Sequence, residues 1–290
     1  MHPRAVLELF KPVTWFPPMW AFTCGVVSSG QSLREHWTLV PLGIALTGPL
    51  VCGTSQAVND WFDRHVDAIN EPNRPIPSGR IPGSWGLTLA VIGTLASLAV
   101  GLLLGVAALV VTAIALVFAW AYSAPPFRLK QNGWWGNLAV GCTYEGLAWV
   151  TGAALMLGGS VPSTPILLAA LMYSLGAHGI MTLNDFKSLD GDLRMGIASL
   201  PAQLGPERAA RLACVVMLVP QILVVAGLGF RGNWLQAVLV AGVVLAQLPL
   251  MRRLLGRPRE LAPWYNATGI SLYVLGMMIT ATALRAGGGR

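Results

Sequence analysis

The sequence predicts an all-α polytopic membrane protein, with nine transmembrane helices in one bundle around a central cavity open to the cytoplasmic side. Three observations carry this expectation. Of 290 residues, 54% are hydrophobic and only 11% are charged, whereas an ordinary soluble domain is roughly a quarter charged. Charge-free stretches cover 12–33, 36–59, 81–127, 212–230, 232–251 and 261–284, and 131–184 holds one charged residue, Glu145. All six aspartates fall into two short clusters. So little charge cannot cover a water-facing surface, and the length suits one bundle spanning 1–290 as a single domain.

The spans follow in order. A spanning helix needs about 20 apolar residues, and in lipid every backbone group must bond within its own segment. The first two stretches predict spans at 14–31 and 39–59. The third is long enough for two, at 84–104 and 106–123, with Gly101 to Gly105 marking the break. The stretch 131–184 divides at Gly158-Gly159-Ser160-Val161-Pro162 into 135–157 and 164–184. The last three give 208–229, 233–251 and 264–284.

With nine spans, the N-terminus and the loops after the even-numbered spans share one side. That side carries 15 of the 19 Lys and Arg residues, and the other carries Arg34, Arg231, Arg285 and Arg290. The positive-inside rule puts the rich side in the cytoplasm. The net charge of +7 is therefore a topology signal. No continuous basic face exists for nucleic acid, and the expected surroundings are a lipid bilayer. Cys24, Cys52, Cys142 and Cys214 lie in apolar segments without a CxxC pair and read as buried small hydrophobes. No A-x-A cleavage pattern precedes the first span, so no cleaved signal or transit peptide is expected.

The aspartates end the second and sixth spans, and each cluster opens Asn-Asp-aromatic. The first reads Asn59-Asp60-Trp61-Phe62-Asp63-Arg64-His65-Val66-Asp67. On a continuing helix, i, i+3, i+7 spacing stacks Asp60, Asp63 and Asp67 on one face, with Gln56 one turn back. Like charges so close repel, and a divalent cation removes the repulsion. Hard oxygens suit Mg²⁺, which binds through one or two carboxylates, waters and substrate phosphates. The second cluster reads Asn184-Asp185-Phe186-Lys187-Ser188-Leu189-Asp190-Gly191-Asp192. Asp185 and Asp192 share a face, Ser188 thins it, and Asp190 points elsewhere unless Gly191 breaks the helix. Solvated helix ends are the plain alternative, but two matching clusters 125 residues apart argue for function. They also suggest a four-plus-four helix repeat plus a ninth helix, with both clusters converging on one cavity.

Basic residues match the acids. After the first cluster, Asn70-Glu71-Pro72-Asn73-Arg74-Pro75-Ile76-Pro77-Ser78-Gly79-Arg80 cannot stay helical and holds Arg74 and Arg80 near the carboxylates. After the fourth span, Ser123-Ala124-Pro125-Pro126-Phe127-Arg128-Leu129-Lys130 forms a second stiff basic loop, and Lys187 lies inside the second cluster. Carboxylates with Arg and Lys around them suit a metal-bound diphosphate. Taken singly, each cation also reads as topology control. Glu145 is the one acid inside a predicted span, and His178 lies seven residues before Asp185, on its helix face. Both read either as acceptor-site residues or as interior packing. Most of the 11 tryptophans sit at span ends as an interfacial belt, and Trp149 is deeper, a candidate for acceptor contact.

The paired boxes on nine spans resemble the UbiA superfamily of intramembrane prenyltransferases over nearly the whole chain. Within it, Asp67 to Gly79, Ser123 to Trp134 and Asn184-Asp185-Phe186-Lys187-Ser188 look like the chlorophyll synthases. Thr143-Tyr144-Glu145-Gly146-Leu147-Ala148-Trp149 and Tyr265-Asn266-Ala267-Thr268-Gly269 resemble the bacteriochlorophyll synthases of purple bacteria. Asp190 stands where the family usually has Glu. The resemblance implies esterification of the propionate of (bacterio)chlorophyllide a with a geranylgeranyl or phytyl group from its diphosphate. It implies two Mg²⁺ ions, one on Asn59, Asp60, Asp63 and Asp67 and one on Asp185 and Asp192, with Asp190 beside them. Arg74 and Lys130, with Arg128 and Lys187, would grip the leaving group; on the acceptor-site reading of its position, His178 is a candidate axial ligand of the tetrapyrrole magnesium. It further implies a bacterial inner membrane and other pigment-biosynthesis or pigment-binding proteins as partners. The rival readings are a prenyltransferase for a quinone precursor, haem or glycerol phosphate, and a transporter. Charges clustered at one surface and a parallel repeat disfavour the transporter.

Overall fold

The computed structural model describes residues 2–286; Arg290, counted above on the outer side, lies outside the described residues. Among these there is no β-strand, and a single parallel bridge joins Asn132 to Ala198. The helices are α1 (Pro3–Leu9), α2 (Phe16–Ser28), α3 (Leu39–Asn70), α4 (Trp85–Leu103), α5 (Val106–Ser123), α6 (133–156), α7 (Thr164–Lys187), α8 (Leu189–Met195), α9 (Leu200–Leu204), α10 (Pro206–Phe230), α11 (Trp234–Gly256) and α12 (Pro258–Ala286). Seven of them, α3, α4, α5, α7, α10, α11 and α12, are long and apolar enough to cross a membrane. The other two predicted spans are helical as well, but α2 has only 13 residues and α6 carries Asn137 and Glu145 within its apolar run.

The breaks fall at glycines. Gly105, at φ +113°, separates α4 from α5, and Gly158 and Gly159, at φ +63° and +89°, end α6. These are conformations that glycine adopts without steric cost. α3 outruns the span predicted from apolar residues alone and reaches Asn70, where the proline-rich run begins. The three box aspartates therefore stay on one continuous helical face.

Helices adjacent in sequence pack together, α10 and α6 flank α7, and α12 closes the bundle onto α2. The α2–α6 crossing is the tightest. A Cβ on Gly25 would sit 2.0 Å from the Trp149 carbonyl oxygen, and one on Gly152 would sit 2.1 Å from that of Phe22. Such small-residue crossings let backbones meet where lipid offers no hydrophobic driving force. Buried amide pairs add to the grip: Gln247 Nε2 of α11 donates to Gln221 Oε1 of α10 at 2.9 Å.

Candidate active site

A cavity of about 520 Å³ lies between α2, α3, α5, α6 and α7. Two helices widen to π turns along its wall, Leu46–Cys52 in α3, with Pro49 inside it, and Cys142–Leu147 in α6. Such turns interrupt the regular ladder and re-aim side chains, often at functional sites. Here they turn Thr47, Val51 and Cys52 toward Thr143, Tyr144 and Glu145, all of which line the cavity. The Tyr144 hydroxyl joins the two walls: Gln56 Nε2 donates to it at 3.0 Å, Ser55 Oγ lies at 3.1 Å and Cys52 Sγ donates at 3.2 Å. At the box end the lining residues are Asn59, Tyr122, Asn184 and Lys187; none of the six aspartates, nor Arg74, Arg128 or Lys130, is part of that lining. Asn59 opens the first box and Asn184 the second, so the leading residues of both boxes share this cavity.

The first box is held by cations from three separate segments. Lys11 Nζ donates to Asp60 Oδ1 at 2.6 Å, Arg74 donates to Asp67 Oδ2 at 2.7 Å and lies 3.6 Å from Asp60 Oδ1, and Lys130 donates to Asp63. Asp60 and Asp67 are buried, so their mutual repulsion is offset within the fold rather than by water. Burial pushes the Lys130 ammonium below its ordinary range, with Asp63 opposing that shift. Asp60 Oδ2 and Arg128 Nε are both buried without a partner. They are a free acceptor for a cation and a free donor for an anion, within one site. The two non-glycine residues at positive φ among those described are Lys11 (φ 46°) and Arg128 (φ 40°). Such backbone strain, of order 1–3 kcal/mol each, concentrates at functional sites.

The second box has neutral partners. Asn137 Nδ2 of α6 donates to Asp185 Oδ2 at 3.0 Å, and Ser188 Oγ donates to Asp192 Oδ2 at 3.0 Å. Among the described residues no cation pairs with either carboxylate. α7 tightens to a 3₁₀ turn at Asp185–Lys187, and the chain restarts as α8, so Asp192 is buried while Asp190 turns outward. Backbone bonds join the start of α6 to the segment after the second box: Gly133 N donates to Ala198 O at 2.8 Å, and Ala198 N donates to Gln131 O at 2.9 Å. The Lys130 loop is thereby fixed to the segment following the second box.

Not every expected residue joins the site. Asp190 is exposed and pairs with Arg259. Arg80 leaves the acids and binds Glu8 of α1 through two nitrogens, at 2.6 and 2.8 Å. Trp149 is wholly buried, donates to Ser28 Oγ at 3.1 Å and stacks on Tyr173, so its ring does not line the cavity. His178 packs on Trp134, with ring centroids 5.9 Å apart, and lies off the cavity wall, as the aspartates do, with its Nδ1 buried and unpartnered. Other contributors carry no sign of their contact in the sequence. Lys11 reads there as a topology charge only, and Asn137 gives no signal. Asn266 of α12 donates to Asn184 Oδ1 at 2.8 Å, which ties the last helix to the first residue of the second box. One turn on, Gly269, where a Cβ would sit 2.3 Å from the Tyr265 ring, makes room for that ring.

Among the described residues no three His, Cys, Asp or Glu side chains form a ready-made metal cage. The all-oxygen donor set and the orphaned Asp60 Oδ2 nonetheless fit a hard cation that completes its shell with water and phosphate.

The model of the UbiA prenyltransferase family matches residues 15–280. The chain is 56% identical over 284 residues to the bacteriochlorophyll synthase 33 kDa chain of Cereibacter sphaeroides, covering 98% of this chain and 94% of that one. It is 55% identical over 286 residues to the protein of the same description from Rhodobacter capsulatus, again covering 98% and 94%. Its fold is similar to that of a UbiA homolog from Archaeoglobus fulgidus bound to GPP and Mg²⁺, with TM-score 0.71 at 19% identity over 94% of this chain and 99% of that one.

Proposed function

We propose that this chain, which belongs to the UbiA prenyltransferase family, is a bacteriochlorophyll synthase. It esterifies the propionate of (bacterio)chlorophyllide a with a geranylgeranyl or phytyl group from its diphosphate and releases diphosphate. The observation that carries the reading is that the first residues of both acid boxes, Asn59 and Asn184, line one largely apolar cavity together with Lys187, while Lys11, Arg74 and Lys130 sit on the carboxylates of the first box. The names of the relatives at 55–56% identity over nearly the full chain support the acceptor.

Asn59, Asp60, Asp63 and Asp67 would hold one Mg²⁺, and Asp185 and Asp192 a second. Bound there, magnesium would offset the negative charge of the diphosphate and polarise its bridging oxygen. The chain's own residues do the rest. Lys11, Arg74 and Lys130 are held on box-one carboxylates at rest, ready to exchange those partners for phosphate oxygens. Arg128, with a free Nε–H, and Lys187, on the cavity wall, supply further donors. Their charge is already in position when the allylic C–O bond breaks, so little reorganisation is needed. A propionate has a pKa near roughly 4.3 and is ionised at neutral pH, so no general base is required. The apolar wall of Val13, Val51, Val111, Ala115 and Phe118 suits the prenyl tail and keeps water from the allylic cation.

We read residues 1–290 as one domain of four plus four helices and a ninth, all nine spanning. The setting is the bacterial inner or intracytoplasmic membrane, with the N-terminus and both boxes facing the cytoplasm, in line with the 15-to-4 basic count. Association with other pigment-biosynthesis or pigment-binding proteins belongs to the same reading. Membranes carrying the chain, fed chlorophyllide or bacteriochlorophyllide with each prenyl diphosphate and Mg²⁺, test it. Pigment ester with matching diphosphate release is expected. Release of diphosphate only when a quinone precursor, haem or glycerol phosphate is supplied would overturn it.

A further inference from the structure

Glu145 has no role in the diphosphate chemistry. Its side chain is 93% buried, yet it lines the cavity from the π turn of α6. Among the described residues no hydrogen bond or ion pair reaches its carboxyl group. The titratable groups near enough to feel it are Cys24, Cys52 and Tyr273, none of them a cation. It lies eight residues along α6 from Asn137, the partner of Asp185, or about 12 Å at 1.5 Å per residue. That is well inside the cavity from the boxes. A carboxylate enclosed there without a counter-charge would be expensive, whereas the neutral acid keeps an O–H to donate.

Hydroxyls that line the same cavity make their bonds elsewhere, and none is bonded to Glu145. Thr47 donates to Gly43 O at 3.0 Å, Thr143 to Ala139 O at 2.8 Å and Thr151 to Leu147 O at 2.7 Å. Tyr144, the adjacent residue, is engaged by Ser55 and Gln56. Glu145 thus lines the cavity with no group among the described residues bonded to its carboxyl. A prenyl tail is hydrocarbon and offers no acceptor, and the diphosphate is assigned to the boxes. Of the two substrates, only the second carries a group placed to receive the O–H.

We infer that Glu145 recognises the acceptor, donating a hydrogen bond from its carboxyl O–H to a carbonyl oxygen on the edge of the macrocycle remote from the reacting propionate. This rests on the tetrapyrrole acceptor proposed above. Glu145 is a recognition residue, and the ester bond forms elsewhere.

The test uses the full chain in detergent or nanodiscs, as wild type, Glu145→Leu and Glu145→Gln. Glu145→Leu is expected to raise KM for the pigment acid about tenfold, the scale of one lost hydrogen bond, with KM for the prenyl diphosphate unchanged. Glu145→Gln retains an N–H donor and stays within about threefold of wild type. Infrared difference spectra of bound pigment give a readout independent of turnover. One peripheral C=O stretch is expected at lower frequency in wild type than in free pigment, and back at the free position in Glu145→Leu. An unshifted carbonyl in wild type overturns the inference, even if the leucine variant fails to assemble. So does a rise in the diphosphate KM instead of the pigment KM. A wild-type chain that neither binds nor esterifies any pigment acid sinks the acceptor reading itself and is told apart by that.

Discussion

The two acid boxes begin with the same three residue types yet are stabilised in opposite ways. In the first, three carboxylates meet Lys11, Arg74 and Lys130. In the second, Asp185 and Asp192 are met by the neutral donors Asn137 and Ser188. On the proposed mechanism, the first box exchanges its resident cations for metal and phosphate. The second, with no resident cation among the described residues, has none to give up when a divalent ion binds. The proposal thus gives the first box the larger part in gripping the polyanion and the second the larger part in recruiting metal.

The largest effects should come from removing either box. Asp60→Ala or Asp185→Ala is expected to lower ester formation by at least about 10²-fold while each protein still elutes as a folded species on size exclusion. Near-normal turnover in either would break the comparison at its root. Removing a box-one cation should separate the two functions. Lys130→Met is expected to raise KM for prenyl diphosphate about tenfold or more and to lower the Mg²⁺ concentration needed for half-maximal rate. Movement of both constants in the same direction would mean that Lys130 is not exchanging partners.

The pH profile sharpens the same point. Lys130 acts as the ammonium, and burial lowers its pKa from about 10.4. Activity should therefore be full at lower pH and fall as pH rises, on an alkaline limb set below that ordinary value. Lys130→Arg keeps its charge and should move the limb upward. In the second box, Ser188→Asp restores a third carboxylate and should reduce the Mg²⁺ requirement by a few-fold, on the order of 1 kcal/mol. Asp190→Asn should be the smallest change, within about twofold, because an exposed pair with Arg259 contributes roughly 0–1 kcal/mol.

Much of this was legible because it is local. Charge-free length set the helices, glycines set their breaks, and i, i+3, i+7 spacing put three carboxylates on the face that α3 presents. What was illegible depends on packing between distant segments. Lys11 meets Asp60 across 49 residues only because the N-terminal segment folds over α3. Arg80 was expected near the acids, and Glu8 drew it away, since nothing in its own loop reports where α1 docks. Trp149 looked available, but the Gly25–Gly152 crossing presses α2 onto α6 and hands its indole to Ser28. The π turns that aim Tyr144 and Glu145 inward leave no periodic trace, because each shifts the register by a single residue.

If the two unequal boxes work on one diphosphate, as proposed, the magnesium response is specific. The decisive measurement is ester formation by the purified chain with saturating bacteriochlorophyllide a and geranylgeranyl diphosphate, titrated with Mg²⁺ from an EDTA-stripped start. No ester in EDTA is expected, with a rise steeper than one binding site allows as both boxes fill. Undiminished ester in excess EDTA would contradict metal-assisted diphosphate release at these residues.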